Sequence, residues 1–119
     1  MMRAPRPISG SIVALLVLSG VSCATDPAEK AAYEAFLSQI ARDCKPLIIG
    51  SDNMGQALIF NGLGADPDNY NNFLGKTSAL YYGGIPPDIY RSSLTAFLGP
   101  GKYNNQSFEC IFAHLPKKK

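Results

Sequence analysis

DPAEKAAYEAFLSQIARDCKP, residues 26–46, is the stretch on which the reading of the whole chain turns. Asp26 offers a side-chain acceptor for free helix amides, Pro27 suits the first helical position, where no donor is needed, and Glu29 can reach back to the cap. Tyr33, Phe36, Leu37, Ile40, Ala41 and Cys44 then recur at the spacing of one helical face, with Lys30, Glu34, Ser38 and Arg42 elsewhere. Pro46 disfavours helical geometry at Lys45, so a helix is expected to stop beside Cys44 and to leave that sulfur facing inward.

The same grammar recurs downstream. Leu47–Ile49 is too brief an apolar run to assign. Gly50-Ser51-Asp52 offers a cap for a helix carrying Met54, Ala57 and Leu58 up to the breakers Gly62 and Gly64. A β-hairpin of Leu47–Ile49 with Ala57–Phe60 competes with it. Asp66-Pro67-Asp68 repeats the cap-then-proline signal before a stripe of Tyr70, Phe73, Leu74, Thr77, Leu80 and Tyr81 that ends at Gly83-Gly84. Gly75 within it costs about 1 kcal/mol relative to Ala, a loss that packing is expected to offset. Pro86-Pro87-Asp88 opens a further helix with Tyr90, Leu94, Phe97 and Leu98 on its face and Gly99-Pro100-Gly101 as its stop. Over Ser107–Leu115, Phe108, Ile111, Phe112 and Leu115 fit a helix, whereas Phe108, Cys110 and Phe112 fit a strand. The expected fold is mainly α: a small four-helix domain with a short C-terminal extended or helical segment and one disulfide, a small α+β arrangement being the alternative.

Upstream of Asp26 the pattern is that of an export signal over residues 1–24: Arg3 and Arg6, an apolar run from Ile12 to Leu18, then small residues. Even extended over residues 8–24 the run falls short of the roughly 20 apolar residues of a spanning helix. Ser22 and Ala24 occupy the small-residue positions for cleavage after Ala24, which would discard Cys23. Alternatively, Gly20-Val21-Ser22-Cys23 loosely resembles a bacterial lipobox, with Gly20 where Leu is usual; the signal would then end at residue 22 and Cys23 would carry a lipid and attach the chain to a membrane. Lipidation would leave only three or four residues between the anchor and the helix at Asp26, which favours a soluble mature chain, periplasmic or secreted. Either cut removes Cys23 from disulfide chemistry. Cys44 and Cys110 remain as an even pair in an oxidising compartment, within one domain over residues 25–116 followed by the basic tail 117–119.

Of the 119 residues, 46% are apolar, which places the chain among folding sequences rather than disordered ones. The net charge of +2 belongs to the ends. Without Arg3 and Arg6, nine basic face nine acidic side chains, and without Lys117, Lys118 and Lys119 as well the body is net acidic. Such a body offers no basic face for a phosphate backbone, so nucleic acid is not an expected partner.

Several constellations invite a chemical reading. Gly75-Lys76-Thr77 ends like a P-loop, but Tyr70 stands where the motif needs glycine and a helix precedes it where the motif needs a strand. Asp66 and Asp68 are spaced like the first ligands of a calcium loop, but Tyr70 occupies the next position and the acids are explained by the helix N-terminus. Cys110 and His114, with Cys44, could make a thiolate–imidazole nucleophile or a metal site, yet a disulfide would consume both sulfurs. Asn105-Gln106-Ser107 is a glycosylation sequon only in a eukaryotic secretory pathway. No catalytic residue, cofactor or metal is therefore assigned. Tyr70, Tyr81, Tyr82, Tyr90 and Tyr103 are candidates for a recognition surface, since tyrosine buries a large ring while keeping a polar tip in water. The expected function is that of an exported bacterial cell-envelope protein acting as a small non-catalytic binding module for a protein partner, of inhibitor or immunity type. The alternative is a small periplasmic hydrolase or a thiol-redox or metal protein using His114 and the cysteines.

Overall fold

The structure, a computed structural model, describes residues 26–117. Cys23, the export signal expected over residues 1–24 and the last two lysines lie outside the described residues. The chain divides into a unit ending at Ala31 and a unit running from Ala32. In the first, the Asp26 carboxylate accepts from the Ala28 amide (3.1 Å) and its carbonyl from the Lys30 amide, as expected of a cap before Pro27. The second unit is mainly helical, with five helices and one two-stranded sheet among the described residues: α1 (Pro27–Asp43, which begins in the first unit), β1 (Ile48–Ile49), β2 (Asp52–Asn53), α2 (Met54–Ile59), α3 (Pro67–Tyr81), α4 (Pro87–Leu98) and α5 (Asn104–Ala113).

The two longest helices turn inward the faces their spacing foretells. α1 buries Phe36, Ile40 and Ala41, with Cys44 buried just beyond its end, and α3 buries Phe73, Thr77 and Leu80. Asp66 caps α3 by accepting from the amides of Asp68 and Asn69. The C-terminal segment is a helix, the first of the two readings open for it. α1 ends at Asp43, before a cis Lys45–Pro46 peptide.

Four details depart from the sequence reading. The cap of α2 is Asn53, whose side chain accepts from the Gln56 amide, not a residue of 50–52. Asp52 is instead in β2, where its carboxylate accepts from the Asn69 side chain at 2.7 Å. β1 pairs antiparallel with β2, Ile48 opposite Asn53 and Ile49 opposite Asp52, so Ala57–Phe60 is not its partner strand. Phe97 is exposed rather than on the inner face of α4, which is formed by the buried Tyr90 and Leu94 with Leu98 packed beside them. Gly75 is exposed, and a β-carbon there would meet nothing, so no packing offsets its cost.

α5 is the element that fastens the others. Its buried Asn104 accepts from the Gly50 amide at 2.7 Å and donates to the Gly99 carbonyl at 3.0 Å, tying the hairpin turn to the α4–α5 connection. One turn on, the Ser107 hydroxyl donates to the Ile48 carbonyl at 2.8 Å. One further turn on, Cys110 is bonded to Cys44, with the α-carbons 5.7 Å apart. On its outer side the Arg91 guanidinium of α4 lies over the rings of Phe108 and Phe112, held there by Asn105 and Glu109. The hairpin turn admits no side chain: at Gly50, with φ of 66°, a β-carbon would collide with the Leu98 carbonyl oxygen.

The two glycines thus predict opposite outcomes. Gly75→Ala is expected to raise unfolding stability by about 1 kcal/mol through helix propensity alone. Gly50→Ala is expected to lower it by at least about 1 kcal/mol, through the left-handed backbone and the collision together. Urea denaturation of the purified variants measures both.

Candidate functional site

The sequence-derived candidates resolve into separate places. Lys76 and Thr77 sit within α3, and the buried Thr77 hydroxyl is hydrogen-bonded to Tyr90 at 2.8 Å, so the P-loop-like triplet forms no loop around a phosphate. Asp66 is used as the α3 cap, and Asp68 lies in that helix's first turn. Asn105 of the sequon accepts from Arg91, while Ser107 is buried against the hairpin.

The five tyrosines do not share one surface. Tyr90 is 0% exposed, in edge-to-face contact with Phe108 and Phe112, because its ring fills the space between α3 and α5 and its hydroxyl finds Thr77 there; it is core and leaves the recognition set. Tyr81 and the exposed Tyr82 form a ring cluster with Tyr33 and Phe36, centroids 5.0–5.5 Å apart between neighbours. Tyr70 lies three turns earlier on α3, and Tyr103 stands under the Lys102 ammonium before α5. Burial pushes the Tyr33 phenol up to about 12, aided by the neighbouring Tyr82 and Tyr70 and opposed by a hydrogen bond with Ser78. Burial also raises Tyr70, and it raises Tyr90 further.

Around His114 the arrangement is tight. Its Nδ1 lies 3.8 Å from Cys44 Sγ, 3.9 Å from Cys110 Sγ and 2.9 Å from the Cys110 carbonyl oxygen. Its Nε2 lies 3.3 Å from an Asp43 carboxylate oxygen. The histidine–carboxylate pairing has the form of a catalytic base with its orienting acid. The groups at the other nitrogen, however, are a disulfide and a carbonyl, neither of which is a nucleophile.

A different surface was not legible beforehand. Ile59, Phe60 and Leu63, at the end of α2 and in the turn after it, are 51%, 52% and 71% exposed. α2 is only six residues long and puts Met54, Gly55 and Ala57 inside, so the apolar residues that follow have no interior left to enter. Asn61, with φ of 55°, and Gly62 then turn the chain back and hold the three side chains outward. This ridge separates two grooves of about 490 and 530 Å³ that share Ala41 and Ile59. One is lined by Leu47, Pro46 and Lys45, with Phe60 on the ridge side; the other is lined by Leu37, Leu58, Leu74, Arg42, Glu34 and Tyr70. The signal in the sequence was Ile59-Phe60, two large apolar residues off the helical stripe and next to glycines.

The tyrosines supply a pH dependence. A phenol whose folded value exceeds the ordinary value of 10.0 stabilises the fold in its neutral form. That contribution is complete below pH about 10 and is lost as the pH climbs through about 12. Stability measured by denaturant titration from pH 9 to 12 is expected to fall, and less steeply in Tyr33→Phe. Comparison with protein-family models, with curated proteins and with solved structures finds no match to the chain.

Proposed function

We propose that the chain is an exported bacterial cell-envelope protein, a small non-catalytic module that binds a protein partner through the Ile59–Phe60–Leu63 ridge and its two grooves. The observation that carries this reading is three large apolar side chains within five residues, each at least half exposed, of which Ile59 and Phe60 line concave surface. Contiguous exposed apolar surface is costly in a monomer and marks a place where another surface is met. The partner fitted to it is an amphipathic helix or strap with apolar anchors for the grooves and acidic residues opposite Arg42 and Lys45, which border them on the α1 side. Tyr70, on the wall of the second groove, is the one candidate tyrosine contiguous with this surface; Tyr81, Tyr82 and Tyr103 stand outside the grooves. An inhibitor or immunity role is one form that such docking takes.

Export is supported by the basic-then-apolar leader and by the Cys44–Cys110 disulfide, a bond that persists in oxidising compartments. Among the described residues no helix is long and apolar enough to cross a membrane. Attachment, where it occurs, would run through a lipid on Cys23. The mass of the mature N-terminus tests this: a chain starting after Ala24, or at a lipid-bearing Cys23, is expected, and a cytosolic product that keeps its leader overturns export.

The docking surface is tested in the native envelope with a photo-crosslinking residue at position 63 and, as control, at the exposed position 96. An adduct specific to position 63, lost in Phe60→Ala and weakened in Arg42→Glu/Lys45→Glu, is expected. Equal labelling at both positions, or an adduct of twice the chain's own mass, overturns the reading.

A further inference from the structure

The Cys44, Cys110 and His114 ligand atoms all lie within 4.8 Å of one another, although their residues come from the two ends of the domain. We propose that these three side chains are a zinc site that the disulfide closes and its reduction opens, with Asp43 as the residue that orients the histidine.

The geometry is close to what the ion requires. Tetrahedral zinc, with Zn–S about 2.3 Å and Zn–N about 2.0 Å, holds its nitrogen about 3.5 Å from each sulfur. His114 Nδ1 already stands 3.8 and 3.9 Å from the two sulfurs, so the imidazole needs only a small shift. The sulfurs must separate to about 3.8 Å, which thiol rotation about the side-chain bonds supplies once the S–S bond is broken. Cys110 and His114 are four apart at the end of α5 and so face the same way, while Asp43 and Cys44 end α1 opposite them.

The far side of the ring supports the assignment. A zinc-bound histidine usually gives its second N–H to a carboxylate, which fixes the tautomer and the ring plane. Asp43 occupies that position, 3.3 Å from Nε2. With the proton on Nε2, the Nδ1 lone pair is free to bind a metal once the ring turns from the Cys110 carbonyl oxygen, 2.9 Å away, toward the sulfurs. Two thiolates and one imidazole leave the fourth position to water, and the site is reachable because Cys110 and His114 are only partly buried.

The chemistry balances with a named reductant. A phosphine takes the oxygen of one water molecule, and its two electrons with that water's two protons convert the disulfide to two thiols. Zn²⁺ then displaces both thiol protons to solvent and accepts the Nδ1 lone pair. In the oxidised chain neither sulfur is available as thiolate, so the bond and the ion exclude one another. This inference does not depend on the partner-binding reading and fails or stands separately from it.

The test uses the full chain with Cys23→Ser, so that no third thiol contributes, reduced anaerobically by a water-soluble phosphine and titrated with Zn²⁺ against a chromophoric chelator. One equivalent is expected to bind the reduced chain and none the oxidised one. Co²⁺ in place of Zn²⁺ is expected to show thiolate-to-metal charge-transfer bands. Asp43→Asn is expected to weaken zinc by about 10-fold or more, as loss of an orienting partner does. Where reduction melts the helices, Zn²⁺ is expected to restore the far-ultraviolet helical signal in this chain and not in His114→Ala. Equal zinc affinity with and without His114, stoichiometric binding by the oxidised chain, or zinc restoring helix in both chains or in neither overturns the proposal.

Discussion

The bond between Cys44 and Cys110 joins the end of the first helix to the last, closing a loop with a sequence separation of 66. In the chain-entropy account a crosslink over such a span removes about 4 kcal/mol of disorder from the unfolded chain, a large share of the stability available to so small a core. The native state gains as well, because the bond holds α5 where Asn104 and Ser107 can satisfy the hairpin's backbone. Buried polar groups of this kind are costly only when unpaired, and here each meets its partner. Covalent and hydrogen-bonded ties therefore lie along one side of a single ten-residue helix.

That side explains what could and could not be read from the sequence. α1 and α3 were legible because cap, proline and apolar stripe agree, so local preference and tertiary burial give the same answer. α5 was ambiguous because Phe108, Cys110 and Phe112 alternate as in a strand while Phe108, Ile111 and Phe112 keep helical spacing; the burial of Asn104 and Ser107 against a backbone turn, which leaves no hydropathic trace, could not decide between them. β1 and β2 were missed as a pair because strands of two residues have no alternation to detect. Tyr90 was misplaced for a related reason: a phenol reads as amphipathic until Thr77 is seen to satisfy it inside the core.

The candidate surfaces were unequally legible. Cys110 and His114 fall on one helical face by their spacing alone, but the nearness of Asp43 depends on how α1 and α5 meet, which no local pattern encodes. The apolar ridge lacked periodicity altogether. It exists because α2 is too short to bury a second row, and helix length is the property that sequence boundaries define least well. The fold and the ridge are thus consequences of two different things: matched caps and stripes in the long helices, and the early termination of a short one.

The ties made by α5 also impose an order of events. The partners of Ile48, Gly50 and Cys44 are Ser107, Asn104 and Cys110, each more than fifty residues later in the chain. A chain threaded N-terminus first through a narrow passage cannot make these contacts until nearly its whole length has emerged. Whatever route the chain takes, consolidation of the hairpin against α5 therefore waits for its C-terminal third.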